Sequence, residues 1–189
     1  EDLKKLKNIE FSGNTKSLLQ ADVYIVTVPT PIDANNNPNF NFIIEATKTV
    51  GKAIKERINS LSRDQIFDLN PIIIYESTVY PGATEEICAK IIQKESGLEF
   101  NNEESGEGFF CGYSPERINP GDSKHKLSNI VKVTSGSNKK VANWIDDLYG
   151  SIIKAGTFKV KEIKVAEAAK VIENTQRDIN ISLMNELSM

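Results

Sequence analysis

The run Asp22–Val28, Asp-Val-Tyr-Ile-Val-Thr-Val, constrains this chain more than any other stretch. It is β-branched and nearly all apolar, and it stops at Pro29-Thr30-Pro31. A short run without polar alternation reads as a strand buried on both faces. Such a strand needs cover on both sides of its sheet, and helices crossing between parallel strands supply it.

The rest of the chain answers that demand. Residues 1–20 are polar and loosely helical, and residues 33–41 are an Asn-rich loop. From Phe42 to about Ile58, Ile43, Val50 and Ile54 mark a helix face. A second buried strand, Ile72–Tyr75, runs into Glu76-Ser77-Thr78-Val79-Tyr80-Pro81-Gly82. The next helix carries Ile87, Cys88, Ile91 and Ile92 on one face and ends at Gly97, so Cys88 is expected in the core. Residues 98–108 hold acids and glycines and read as a solvated loop. Further strands are expected at Phe109–Tyr113, Ile130–Thr134 and Thr157–Val160. Between the last two lies a helix with Val141, Trp144, Ile145 and Leu148 on one face. A long helix runs from about Glu162 to the end.

Strands alternating with helices imply βαβ units and a mostly parallel sheet. Right-handed crossovers place the strand C-termini on one edge. Val28–Pro31, Ser77–Val79 and Gly112–Asn119 are therefore expected along one crevice, where open α/β sheets bind ligands. The third of these opens the stretch Gly-Tyr-Ser-Pro-Glu-Arg-Ile-Asn-Pro-Gly-Asp, residues 112–122. Pro115 and Pro120 each fix φ near about −65° and remove a donor, so Glu116 sits on a stiff loop. The plain alternative is a Pro-rich turn with a solvated Glu and Arg.

Other features also read two ways. Val28-Pro29-Thr30-Pro31 either lines a nucleotide with a rigid, donor-poor wall or merely ends a strand. Ser77 and Thr78 either hold a ligand oxygen or a water, or cap the next helix. On the long helix Glu167, Lys170, Asn174 and Arg177 form one polar stripe. Val165, Ala168, Ile172, Ile179, Leu183 and Leu187 lie mostly on another face and are expected to pack. A solvated face is the usual account of such a stripe. Asn is disfavoured inside helices, which points to a role for Asn174.

Composition removes several classes. With 23 basic and 26 acidic residues the net charge is −3, which speaks against a nucleic-acid surface and gives no pull toward an anionic membrane. No apolar run approaches a membrane span, and residues 1–20 do not resemble a signal peptide. Cys88 and Cys111 fall in no metal or redox spacing, and a reducing, cytoplasmic setting fits. His125, the single histidine, reads as surface. No Ser-His-Asp set, metal cluster or P-loop is visible. The chain begins at Glu1 and stops inside a helical pattern at Met189, so it reads as an internal piece of a larger protein.

Four motifs in order carry a resemblance. They are Ala21-Asp22-Val23 through Pro31, Glu76 through Thr84, Tyr113 through Asp122, and Ala166-Glu167-Ala168-Ala169-Lys170 with Asn174. Together they resemble the UDP-glucose/GDP-mannose dehydrogenase family, and in wording its bacterial UDP-N-acetylglucosamine and UDP-N-acetylgalactosamine 6-dehydrogenases. The resemblance implies a Rossmann-like parallel sheet that lacks its first βαβ unit, over residues 1–160. Residues 161–189 would begin a long central helix that forms a homodimer. It implies NAD as cofactor, a UDP-sugar as substrate, and two oxidations of the sugar C6 alcohol to a uronate through a cysteine-bound thioester. These reactions serve capsule and O-antigen synthesis.

By motif, Thr78 would hold the catalytic water, Glu116 would be the base of hydrolysis, and Lys170 with Asn174 would stabilise the oxyanion. Val28, Pro29, Thr30, Ser77 and Thr78 would touch NAD. Arg117, Ile118 and Asn119, with Glu116, Lys170 and Asn174, would touch the sugar nucleotide. The family's Gly-rich phosphate turn and its Gly-Gly-His-Cys nucleophile are not among these 189 residues, so the chain by itself is expected to be inactive. Pro120 stands where some relatives carry a second acid, which sides with the acetamido-sugar branch. Two other readings remain open: a β-hydroxyacid-type dehydrogenase making one hydride transfer, and a non-catalytic module that dimerises through the long helix.

Overall fold

Six strands form one sheet in the computed structural model, which describes residues 8–62, 65–66, 69–103, 108–117 and 129–189. They are β1 (Val23–Val26), β2 (Ile72–Tyr75), β3 (Glu99–Phe100), β4 (Gly108–Tyr113), β5 (Lys132–Gly136) and β6 (Thr157–Lys159). The order is β1-β2-β4-β5-β6, with β3 pairing β4 off this path. The strands β1, β2 and β4 are parallel, and Val26, Tyr75 and Tyr113 stand in register at their C-terminal ends. These are the parallel strands that the alternating pattern implies, in the Rossmann-like form that the resemblance implies.

Two departures lie beside it. The strand β5 runs antiparallel to β4, with β6 parallel to β5, so the sheet is mixed. Hydropathy periodicity carries no strand direction, which is why the reversal is invisible in sequence. Side chains fasten the short antiparallel ladder: Ser114 Oγ donates to Val133 O and Ser135 Oγ to Tyr113 O, each at 2.7 Å. The stretch read as loop from 98 to 108 contains β3, whose Phe100 ring lies 5.5 Å from that of Phe109. One aromatic among acids is too short a signal for a strand.

The helices are α1 (Asn41–Ser60), α2 (Ala89–Ser96), α3 (Lys139–Gly150) and α4 (Ile163–Ser188). A π-helical turn at Thr84–Cys88 leads straight into α2. The larger core lies where α1 and α2 meet the sheet. Ile43, Val50 and Ile54 pack there with Ile73, Tyr75, Phe109 and Tyr113. Gly51 permits close approach of the two helices, since a Cβ there would lie 2.7 Å from Glu95 Cβ. A smaller core on the other face joins Ile74 and Phe110 to Val141, Ile145 and Tyr149 of α3. The N-cap of α3 is Asn138, whose side chain accepts from Val141 N–H at 2.8 Å.

The sequence reading needs three corrections in burial. Ile25 of β1 is 48% exposed, because the α3-side core covers Ile74 and Phe110 but does not reach it. Among the described strands, β4 and β5 are buried along their whole length. Trp144 is also exposed; the buried face of α3 centres on Ile145 and Tyr149, and Trp144 falls at its margin.

The third correction is the largest. In α4 the buried residues are Ile163, Ala166 and Glu167, while Val165, Ile172, Ile179, Leu183 and Leu187 are exposed. The expected solvated and packed faces are thus exchanged at the start of the helix. A carboxylate can be buried if donors meet it, and they do here.

Candidate functional site

The C-terminal ends of β1, β2 and β4 open into a cleft of about 240 Å³. Thr27, Val28, Pro29 and Thr30 line it from the β1 end, Glu76, Ser77 and Thr78 from the β2 end, and Glu116 from the β4 end. Lys170 reaches in from α4. The topology argument placed these loops on one edge, and the structure brings them together.

Each wall has its own cause. Ser77 Oγ donates to Val28 O at 2.6 Å, tying the first two loops, so this hydroxyl is already committed. Thr78 stays exposed beside it. Thr30 Oγ1 is buried and has no partner among the described residues. A buried hydroxyl without a partner is costly, and a polar ligand group would relieve it. Pro115 is buried while Glu116 is exposed at the rim.

Beneath the cleft lies a buried charge set that sequence reasoning missed. Lys132 Nζ donates to Glu76 Oε2 at 2.8 Å and sits 4.9 Å from the Tyr149 ring centroid. The Tyr149 hydroxyl donates to Glu76 Oε1. Burial, reinforced by the Glu76 carboxylate, pushes the Tyr149 phenol far up, so it stays a donor. A lysine inside the run Ile130-Val131-Lys132-Val133-Thr134 was the available signal, since a buried lysine requires a partner.

Glu167, named in sequence only as part of a polar stripe and a motif, has no solvent exposure. Its Oε2 accepts from Gly82 N–H, and its Oε1 accepts from Thr84 N–H at 2.9 Å. Those N–H groups lead the helical segment Thr84–Ser96, where a carboxylate is welcome. Gly82 adopts φ +98°, a conformation that favours glycine. Burial raises the Glu167 pKa against the lowering by hydrogen bonds from Thr84 and Gly82. No sequence pattern separates such a Glu from a solvated one.

Lys170 lies one turn beyond Glu167 and is half-buried. Burial lowers its pKa, Glu173 and Glu116 raise it, and Arg177 and Arg117 lower it further. Arg117 pairs with Glu173 at 3.3 Å and donates to Val131 O at 3.3 Å. Arg177 approaches the same Glu173 at 3.5 Å. Arg117 lines a neighbouring pocket with Lys170 and Glu173, rather than the cleft itself. Asn174 is half-buried and lines neither. Ile118 and Asn119, like Pro120 and His125, fall outside the described residues.

Both cysteines are buried. Burial pushes the Cys88 thiol up to about 11 and the Cys111 thiol well above its usual value. Neither is a nucleophile near neutral pH. Among the described residues no group of His, Cys, Asp and Glu could hold a metal ion, and no helix is long and apolar enough to cross a membrane.

The NAD binding domain of the UDP-glucose/GDP-mannose dehydrogenase family matches residues 2–153. A UDP-N-acetyl-D-glucosamine 6-dehydrogenase of Pseudomonas aeruginosa is 51% identical over 188 residues. Protein CapL of Staphylococcus aureus is 49% identical over 189. Each match covers 100% of this chain and 40% of the relative's length. The solved structure of a UDP-D-ManNAc dehydrogenase from Pyrococcus horikoshii superposes with a TM-score of 0.78 at 28% identity, over 98% of this chain and 39% of that one. The chain thus carries the NAD-binding fold of these oxidoreductases, and it belongs to the UDP-glucose/GDP-mannose dehydrogenase family.

Proposed function

We propose that this chain is the NAD-binding part of an enzyme that oxidises the C6 alcohol of a UDP-N-acetylhexosamine to the uronate. The setting is cytoplasmic synthesis of bacterial surface polysaccharide, capsule or O-antigen. The observation that carries the proposal is the convergence of Thr30, Thr78, Glu116 and Lys170 on one cleft. Residues 1–160 are the NAD-binding unit and residues 161–189 begin the central helix, through which two copies pair.

Thr30 supplies the test of cofactor fit, since its buried hydroxyl has no partner among the described residues. The cleft is smaller than the roughly 300–1,000 Å³ of a full ligand pocket, so it suits one end of a dinucleotide. Val28, Pro29, Thr30, Ser77 and Thr78 would hold that end. NAD bound there would supply the hydride acceptor for the two oxidations.

The chain's own residues do the remaining work. Lys170 places a positive charge beside the oxygen that becomes an alkoxide, and a preorganised charge in a closed site is a large stabilising term. Asn174 assists from the next turn. Thr78 positions the water that releases the product from a cysteine thioester, and Glu116 takes that water's proton. Arg117, and by motif Ile118 and Asn119, would touch the sugar nucleotide. For Arg117 this requires leaving Glu173, a half-exposed pair of small cost to open.

The test uses Glu116→Gln in protein of the relatives' full length. A positioned base contributes on the order of a hundred- to ten-thousand-fold. Steady turnover should fall by about that much after a burst of NADH near two per active site, leaving a sugar adduct visible by mass spectrometry. A burst of one would favour the single-oxidation reading. Undiminished turnover would leave Glu116 a turn residue.

A further inference from the structure

Glu167 takes no part in the chemistry above, yet it is the most fully buried acid on the helix that delivers Lys170. Its two oxygens accept from Gly82 and Thr84, the turn four to six residues beyond Thr78. A second tie lies on its outer side, where Lys164 Nζ meets Glu86 Oε1 at 2.9 Å. These contacts fasten the start of α4 to the segment that leaves the cleft floor.

Apolar burial alone does not fix this placement. Ile163 and Ala166 are the only apolar residues that α4 buries among the described residues, and apolar contact is non-directional. Two N–H donors on one carboxylate are directional and set both the rotation and the height of the helix. Lys170, three residues on, is thereby held over the cleft.

We propose that Glu167 is the positioning residue for Lys170: its grip on Gly82 and Thr84 sets the distance between the Lys170 ammonium and the Thr78 end of the cleft. This rests on the reading of Lys170 as the oxyanion's partner. A displacement of about 1 Å at such a centre costs up to roughly a hundredfold in rate.

The experiment is a double-mutant cycle on turnover in protein of the relatives' full length. Glu167→Gln keeps the volume but offers the two N–H groups one acceptor and one donor. It should lower kcat roughly ten- to a hundredfold. The Kd for NAD, read by calorimetry, should stay within about twofold, because no cleft wall belongs to Glu167. On a Lys170→Ala background, Glu167→Gln should cost less than about a further twofold, since residues acting as one unit are non-additive. Full additivity would overturn the positioning role while leaving Lys170 in place. Unchanged turnover in Lys170→Ala would instead overturn the reading of Lys170, and the proposal with it. Should Glu167→Gln not fold, Glu167→Asp keeps both acceptors on a shorter arm, and the same cycle decides.

Discussion

At its start α4 buries Ile163, Ala166 and Glu167 against the domain; from Thr175 to Met189 every residue but Arg177 is exposed. The anchored end is short and held largely by a polar group. The free end is long and carries Ile179, Ile181, Leu183, Met184 and Leu187 in solvent. The two ends show what an amphipathic pattern records. It marks where apolar surface will be covered, and it does not say by what. On the anchored turns, where the domain supplies the cover, a carboxylate with two donors displaced the expected apolar contact.

The sharpest way to break this contrast is Ile163→Ala. Ile163 is 1% exposed, within the larger core. Removing a buried Ile side chain costs roughly 2–5 kcal/mol. Urea unfolding should show that loss with an unchanged slope. A loss below about 0.5 kcal/mol would mean that the anchored end is not anchored by packing.

That contrast also bounds what the sequence disclosed. The strand β2 and the crevice were legible, because buried runs and crossover topology depend on local pattern alone. The cleft residues Val28, Pro29, Thr30, Ser77, Thr78, Glu116 and Lys170 followed from that topology and from motif. Long-range polar pairing was not legible. Glu167 meets Gly82 across 85 positions, and Lys132 meets Glu76 across 56. Nothing in a local window announces either partner. The direction of β5 was hidden for the same reason, since it is fixed by contacts with Tyr113 and Ser114.

A smaller effect belongs to the socket of the anchored end. Gly82 holds φ +98°, a conformation that costs an L-residue about 1–2 kcal/mol. A Cβ there would also lie 2.9 Å from Glu86 Oε1, the carboxylate that pairs with Lys164. That side chain can swing away, at the expense of the pair. Gly82→Ala should therefore destabilise by about 1–2 kcal/mol, and a second substitution, Lys164→Ala, should add little to it. Wild-type stability in Gly82→Ala would show that the turn tolerates a second geometry, and that Glu167 does not depend on it.

The smallest change in stability is expected at the free end, and it separates the two ends most cleanly. Ile179 and Leu183 are one helical turn apart and are 59% and 50% exposed. Replacing both with Asp removes almost no burial within this chain. The unfolding free energy of the isolated chain at low concentration should stay within about 0.5 kcal/mol. Assembly should respond quite differently. If residues 175–189 lie at the contact between two copies, their apolar side chains are the buried centre of that contact. Two carboxylates placed there, and their two symmetry mates, would be desolvated without partners. Light scattering at tens of micromolar should then read a dimer for the parent chain and a monomer for Ile179→Asp with Leu183→Asp. A parent chain that is monomeric would remove this helix as a sufficient contact. A double variant that remains dimeric would move the contact elsewhere, and the exposed apolar residues of α4 would need another partner. A monomeric variant with unchanged unfolding energy would show that one helix serves two bodies: its first turns hold the domain and its last turns hold the second copy.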